Sequence, residues 1–168
     1  MLGEYQKVLE TSGDDFGYCL GLTLALLGRT DEAVSMLRKK EQLHTPRLGM
    51  LYLISLRALL GGQREESLQA SQELMQATFR DPEGMYYLAR QLSYLGQEAQ
   101  ALEMISRAIG QGFFCYPAMV RDPWLDALRR NPGFTALLGK AHQLYREAAA
   151  LFVAAGGDSV LGISAAGY

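Results

Sequence analysis

Apolar positions along this chain recur at the spacing of an α-helix, and glycines interrupt the pattern at regular points. The stretch Tyr18–Leu27 is apolar at helical spacing, and Gly28 ends it in the manner of a C-terminal helix cap. Thr30 then offers an N-cap for a second helix, which opens with two acidic residues. No segment shows the alternating pattern of a half-buried strand. The pattern therefore predicts helix nearly throughout the chain.

The same succession of signals returns in the next section of the chain. The dipeptide Thr45-Pro46 joins an N-cap to a proline at the first helical position. The helix that it starts is predicted to run to Leu60, to break at Gly61-Gly62, and to be followed by a new helix near Glu65. This section therefore predicts a second pair of helices.

A third section repeats the arrangement and reveals a fixed period. It opens with Asp81-Pro82, breaks at Gly96, and resumes as a helix through Ala101–Ile109. The glycines that end the first helices, Gly28, Gly62 and Gly96, follow one another at a constant 34-residue step. Further sets keep the same step: Leu20, Ile54 and Leu88; Gly21, Ser55 and Ala89; Ala33, Ser67 and Ala101; Tyr18, Tyr52 and Tyr86. A fixed period over three units indicates stacked repeats, whose small residues let helices approach closely.

The 34-residue period and the two-helix unit resemble the tetratricopeptide repeat. The matching residues are Met85, Leu88, Ala89, Leu92, Ala101 and Ile105 in the third unit, Leu20, Gly21, Leu24, Ala33 and Leu37 in the first, and Leu51, Ile54, Ser55, Ala58 and Ser67 in the second. Gly17 stands where that family prefers tryptophan, and Ser71 replaces a bulky apolar residue. The resemblance covers about residues 14–112 and implies an all-α, right-handed superhelical solenoid of antiparallel helix pairs.

The ends of the chain depart from the period. Asp122-Pro123 and Asn131-Pro132 each join an N-cap to a proline, and they predict a long last helix from about Pro132 to Ala155. Its apolar stripe comprises Phe134, Leu137, Leu138, Ala141, Leu144, Tyr145, Ala148 and Phe152. We expect this helix to cap the repeats. The segment around it resembles the end of tetratricopeptide regions in large bacterial regulatory or kinase proteins.

The predicted organisation divides the chain into six parts. These are the second helix of a truncated repeat in residues 1–13, repeats in 14–47, 48–80 and 81–112, a degenerate repeat with a capping helix in 113–157, and a tail in 158–168. The first part has Leu2, Tyr5, Val8 and Leu9 at helical spacing. We therefore expect the chain to be the C-terminal part of a longer protein.

Charge and cysteine content narrow the function classes. The net charge is −2, which provides no general field for nucleic acid or an anionic membrane. The two cysteines, Cys19 and Cys115, are too few and too distant for a disulfide framework or a metal site. No uninterrupted apolar stretch is long enough for a signal peptide or a membrane span. These features favour a cytoplasmic protein.

No residue pattern predicts catalysis, a cofactor or a metal. His44 and His142 have no serine, cysteine or carboxylate partner at a known motif spacing. Gly61-Gly62 lacks the lysine and hydroxyl residue of a phosphate-binding loop. We therefore expect no enzymatic activity and no bound cofactor.

The resemblance implies a concave surface lined by the first helix of each unit. The residues that it places there, as a candidate partner-binding groove, are Tyr18, Leu22, Tyr52, Leu56, Tyr86, Arg90 and Tyr94. Tyr18 and Leu22 are four residues apart and share a helix face, as do Tyr86 and Arg90. The lysine, asparagine and arginine with which chaperone-binding members hold a terminal carboxylate are absent, which argues against chaperone tails as partners.

The sequence also allows three other interpretations. The groove residues can instead form packing within the chain, either under the last helix or between repeats, or they can mediate a homodimer. A weaker alternative is a small-molecule sensor with a pocket at Arg90. The favoured hypothesis is a scaffold that binds a protein or peptide, without contact to nucleic acid or membrane.

Overall fold

The computed structural model describes residue 7 and residues 17–43, 46–78 and 81–162, and these ranges are helical without a strand. The elements are α1 (Gly17–Leu26), α2 (Thr30–Glu41), α3 (Arg47–Leu60), α4 (Arg64–Gln76), α5 (Pro82–Tyr94), α6 (Glu98–Gly110), α7 (Tyr116–Arg121), a 3₁₀ helix (Pro123–Leu128), α8 (Pro132–Ala154) and α9 (Gly157–Leu161). The predicted all-α class is confirmed. Apart from residue 7, the helix predicted in residues 1–13 lies outside the described ranges, as do His44, Thr45 and the last six residues.

The chain forms two compact units, Met1–Phe79 and Arg80–Tyr168. In the first unit α1 packs on α2, α3 packs on α4, and α3 also contacts α1 and α2. The small residues at the 34-residue period lie at these contacts. A Cβ atom on Gly21 would lie 2.9 Å from the side chain of Leu37, so glycine allows α1 to approach α2 closely. Ser67 donates a hydrogen bond of 2.8 Å to the carbonyl of Ser55, which links α4 to α3.

A buried arginine joins three helices of the first unit. Arg57 of α3 forms ion pairs with Glu41 of α2 at 2.9 Å and with Glu66 of α4 at 2.7 Å. It also donates to the amide oxygen of Gln63 at 2.7 Å. The Arg57 guanidinium lowers the pKa of the Glu66 carboxyl through its hydrogen bonds to that carboxylate and through its charge. The buried cation is therefore fully paired, as the cost of moving a charge out of water requires.

Glycines in the left-handed region end the helices at the predicted points. The φ angles of Gly28, Gly62 and Gly96 are +77°, +75° and +71°. After each one, the next residue donates to a carbonyl five positions back, as in the bond of 2.8 Å from Gln63 to Ala58. This pairing satisfies carbonyls that a helix end leaves open. The same turn recurs three times at 34-residue steps, so the sequence period is a period of backbone geometry.

Two glycines near the end of α6 allow a test of whether the turn after this helix requires a positive φ. Gly112 has a φ of +106°, whereas Gly110 lies within the helix, and a Cβ on either would meet no atom within 4 Å. We expect Gly112→Ala to lower the free energy of unfolding by about 1–2 kcal/mol, because only its backbone conformation is unfavourable. Gly110→Ala should raise it by about 0.5–1 kcal/mol. Urea unfolding of both variants measures the difference, and equal effects would contradict the assignment.

The predicted starts of the helices are only partly correct. Thr30 is the first residue of α2, and Arg29 occupies the N-cap without a capping side-chain bond. Pro46 precedes α3, which begins at Arg47. The predicted caps Asp81 and Asn131 are confirmed, since each side chain accepts backbone N–H groups of the following turn. Local geometry explains the first error, because α2 follows the glycine turn directly and the Arg29 carbonyl already accepts the first helical bond, from Ala33.

The second unit has α5 packed on α6, with the 3₁₀ helix on α5 and α8 on both α6 and α7. The large residues of its core are fully buried: Met85, Leu88, Leu92, Met104, Ile105, Leu125, Leu128 and Phe134. Helices α4, α6 and α8 begin at Arg64, Glu98 and Pro132, which keeps the 34-residue step. The period of helix starts thus continues beyond Gly112, although the period of residue types does not. Pro123 interrupts the helix that would match α5, because it lacks an N–H and restricts the residue before it.

The long last helix covers other helices over only part of its length. Of its predicted apolar stripe, Phe134 and Ala141 are buried, while Leu137, Leu138, Leu144 and Tyr145 are half-buried and Ala148 and Phe152 are exposed. The helix ends at Ala154, and α9 follows at Gly157. The residues predicted as a tail from position 158 therefore begin within a short helix.

Candidate partner-binding site

A buried ion pair lies at the centre of the second unit. Arg90 of α5 and Asp122, which precedes the 3₁₀ helix, are 7% and 6% exposed. The guanidinium Nε contacts one oxygen of the Asp122 carboxylate, and its Nη2 donates to the other at 3.3 Å. The Tyr86 hydroxyl donates a third bond to this carboxylate at 2.8 Å. The arginine balances the negative charge of this carboxylate, and the arginine and tyrosine donors together bind its oxygen lone pairs.

The local sequence explains why Asp122 points toward α5. Pro123 disfavours the α conformation at Asp122, so the chain leaves α7 there in an extended backbone state. The same carboxylate accepts a hydrogen bond of 3.0 Å from the backbone N–H of Trp124, which caps the 3₁₀ helix. Arg129 donates to the Asp122 carbonyl at 3.0 Å and to the Met119 carbonyl at 3.1 Å. Both the side chain and the backbone of Asp122 are therefore held in place.

Aromatic rings surround the Arg90 guanidinium. Its central carbon is 5.7 Å from the ring centroid of Tyr86, 6.0 Å from that of Tyr87 and 5.6 Å from that of Trp124. The ring of Phe113 stacks on the ring of Tyr86, with centroids 4.7 Å apart. Rings at this distance attract a cation through their quadrupoles and also shield it from water. The second unit thus encloses one of its own cations in an aromatic cage.

The environment of Tyr86 keeps its hydroxyl protonated. Burial raises the pKa of Tyr86 well above its usual range, and the negative charge of Asp122 raises it further. Both causes disfavour the phenolate, which would be a buried anion beside a carboxylate. Tyr86 therefore acts as a hydrogen-bond donor to Asp122 at neutral pH.

Tyr94 is the exposed end of this cluster. Its side chain is 60% exposed, and its ring centroid lies 5.0 Å from that of the buried Trp124. Trp124 in turn lies against Arg90, which Asp122 holds. We call the pair of Tyr94 and the Trp124 ring beneath it the Tyr94 surface. It presents an amphipathic aromatic residue on a support that is fixed by packing and by an ion pair.

The first unit contains the other two tyrosines of the predicted groove. Tyr18 and Tyr52 are both half-buried, and their rings meet edge to face with centroids 5.5 Å apart. Their helix neighbours Leu22 and Leu56 are buried in the core of this unit. Tyr18 and Tyr52, which are one repeat period apart, are thus in direct ring contact between α1 and α3.

The predicted groove residues separate into two groups by exposure. Leu22, Leu56, Tyr86 and Arg90 are buried, so their side chains form packing within their own units. Tyr18 and Tyr52 keep part of their surface, and Tyr94 keeps most of it. The element that covers Tyr86 and Arg90 is the 3₁₀ helix with Asp122, and not the last helix as considered from the sequence.

Sequence reasoning did not identify Asp122, Trp124 and Phe113 as part of this cluster. The sequence pattern indicates only an N-cap role for Asp122, a role that it does fill. A usable signal was available for Trp124, which lies one full repeat period after Arg90 and so occupies the matching position of the next unit. For Phe113 we find no signal beyond its apolar character.

Comparison with models of protein families, with curated proteins and with solved structures found no match for this chain. The described residues include no group of histidine, cysteine, aspartate and glutamate side chains that could hold a metal ion. None of the described helices combines the length and the apolar character needed to cross a membrane.

Proposed function

We propose that this chain is a protein-interaction module of the tetratricopeptide type, forming a right-handed solenoid at the C-terminal part of a larger bacterial regulatory protein. It binds a protein or peptide and has no catalytic activity and no cofactor. The recurring glycine turns at 34-residue steps support the repeat assignment. The Tyr94 surface supports the binding function and is the observation that carries it.

The Tyr94 surface has the properties of an interaction hot spot. Such residues are often tyrosine, tryptophan or arginine, and they contribute most when their supporting residues are already ordered. Tyr94 is exposed, while Trp124 and Arg90 beneath it are buried and held by Asp122. A partner that covers the Tyr94 ring therefore gains apolar contact without ordering the surface first.

Replacing Tyr94 tests this function. We expect Tyr94→Ala to weaken binding of a partner by at least about tenfold, since a hot-spot truncation costs about 2 kcal/mol or more. The partner is first captured with the full chain and then purified, so that its dissociation constant can be measured directly by calorimetry. Helical circular dichroism should be unchanged, because Tyr94 is mostly exposed.

Val120→Ala is the matched control, because Val120 is an exposed apolar residue of the same unit outside the Tyr94 surface. The affinity of this variant for the partner should equal that of the unchanged chain. If Tyr94→Ala binds as tightly as this control, then the Tyr94 surface is not the binding site.

Self-association is a second candidate function, favoured by the end of α8. Leu151 is 72% exposed there, and Val160 of α9 is 82% exposed, with Phe152 and Val153 also exposed. Clusters of exposed apolar side chains mark interaction sites. Sedimentation of the chain with Leu151→Glu distinguishes the two functions, because only a dimer would dissociate. A sensor pocket at Arg90 is disfavoured, since Asp122 and Trp124 fill the space around the guanidinium.

A further inference from the structure

A surface groove of about 560 Å³ lies in the first unit, along α2 and at the C-terminal end of α3. Its volume is within the range of ligand-binding clefts. Val34 and Leu60 are half-buried and give it an apolar floor. Exposed polar side chains of α2 form its rim, among them Asp31, Arg38 and Lys39. We call this feature the Arg38 groove.

The charges along the rim are separated by sign. Asp31, Ser35 and Arg38 lie four and then three residues apart, so they follow one face of α2. Arg38 lies seven positions after Asp31 on the helix, a distance of about 10 Å. Lys39 and the amide of Gln42 line the same groove, on the side of Arg38. One end of the groove is therefore rich in donors and cations, and the other end has a carboxylate.

Nearby carboxylates are already engaged by another cation. Glu41 and Glu66 both pair with Arg57, at 2.9 Å and 2.7 Å. Arg38 lies close enough to Glu66 to contribute to the lowered pKa of that carboxyl, but Arg57 is the main cause. In the part of the chain that the structure describes, Lys39 forms no ion pair. The cationic end of the groove thus retains capacity to bind a further anion.

A pair of cations at these positions is not a general property of the repeat. The positions of Arg38 and Lys39 are occupied by Gln72 and Glu73 one period further on, and by Ser106 and Arg107 two periods further on. Glu73 already pairs with Arg47 at 2.8 Å. The packing of helix pairs therefore does not require cations at these two positions.

We propose that the Arg38 groove is a second binding site, which holds an extended acidic peptide segment of a partner protein. A carboxylate of the peptide pairs with Arg38 and Lys39, and an adjacent apolar side chain packs on Val34 and Leu60. Asp31 accepts a backbone N–H at the other end and repels polyanions such as nucleic acid. This proposal rests on the proposed function, because it assumes that the chain is a protein-interaction module.

The test uses the full chain and a defined probe, an acetylated and amidated hexapeptide of alternating leucine and glutamate. We expect chemical-shift changes in a nitrogen–proton correlation spectrum at residues of the groove, including Val34 and Gly61. Arg38→Glu with Lys39→Glu should weaken binding by at least about tenfold, the equivalent of about 1.4 kcal/mol. The milder pair Arg38→Gln with Lys39→Gln should also weaken it, and provides a test if the charge reversal unfolds the first unit.

The control reverses two exposed charges elsewhere, Arg130→Glu with Lys140→Glu, and changes the net charge by the same amount. Binding by this control should equal that of the unchanged chain. The proposal is overturned if the peptide does not bind, if the control loses as much affinity, or if inorganic phosphate or a single-stranded oligonucleotide displaces the peptide from the same residues. Tyr94→Ala should leave peptide binding here unchanged, so failure of the Tyr94 surface and failure of this groove are separate results.

Discussion

Replacing Asp122 with alanine is expected to lower the free energy of unfolding of the second unit by about 3–5 kcal/mol, the cost of leaving a buried charge without its partner. Arg90 would keep its charge inside the aromatic cage, and the Tyr86 hydroxyl would lose its acceptor at 2.8 Å. The backbone N–H of Trp124 would lose its cap as well. Each loss is a desolvated group left unpaired, so the effects point in the same direction.

Fluorescence provides a direct measurement of this effect. Trp124 is the only tryptophan of the chain and lies 5.6 Å from the guanidinium, so urea unfolding followed by its emission reports on the cluster itself. Asp126→Ala is the matched control, because Asp126 is a 69% exposed carboxylate of the same 3₁₀ helix. Its effect should stay within about 1 kcal/mol, as for other exposed ion pairs. An equal loss in both variants would contradict the central role of Asp122.

A double substitution separates the ion pair from its surroundings. Arg90→Met with Asp122→Leu removes both charges and leaves apolar groups of similar size. It should be more stable than Asp122→Ala alone, because no unpaired charge remains in the core. A double variant as unstable as the sum of the two single changes would show that Arg90 and Asp122 do not depend on each other.

The helices and many of their ends were predictable because their signals are local. Gly28, Gly62 and Gly96 each end a helix, since a glycine in the left-handed region needs only its own backbone. Asp81 and Asn131 cap helices through residues two or three positions away. Signals of this kind are complete within a few residues, so one sequence is sufficient to interpret them.

The candidate site was less predictable because its contacts join distant positions. Arg90 and Asp122 are 32 residues apart, and no local pattern indicates that one meets the other. The sequence placed Tyr86 and Arg90 on one helix face correctly, but it could not show that Asp122 and Trp124 cover that face. Of the predicted groove residues on that helix, only Tyr94 remains exposed, at its C-terminal end.

The sequence also did not show that the helix period continues, because the residue types change there while the spacing of the helix starts does not. Pro132 begins α8 one full period after Glu98 begins α6, yet Thr135 stands where Ala101 stands in the third unit. Small residues are needed where two full helices pack closely. Pro123 divides the preceding helix, so α8 packs on the six-residue α7, and the requirement changes while the spacing of helix starts persists.

Replacing Ala101 with tryptophan is expected to be the most damaging change to the helix pairs. Ala101 is fully buried on α6, which packs against α5, and its period partners Ala33 and Ser67 are fully buried too. An indole there has no space and must displace one of the two helices. We expect the second unit to lose at least about 3 kcal/mol, the upper end of the range for overpacking.

Ser106→Trp is the matched control, since Ser106 lies on the same helix and is exposed. The same indole should change stability there by no more than about 0.5 kcal/mol, as for other surface substitutions. Both variants are compared by thermal unfolding followed by circular dichroism, because each contains a second tryptophan. Because both variants introduce the same residue, a difference between them is due to the position. An unchanged melting temperature for Ala101→Trp would mean that the 34-residue register assigns the wrong face of α6 to the helix contact.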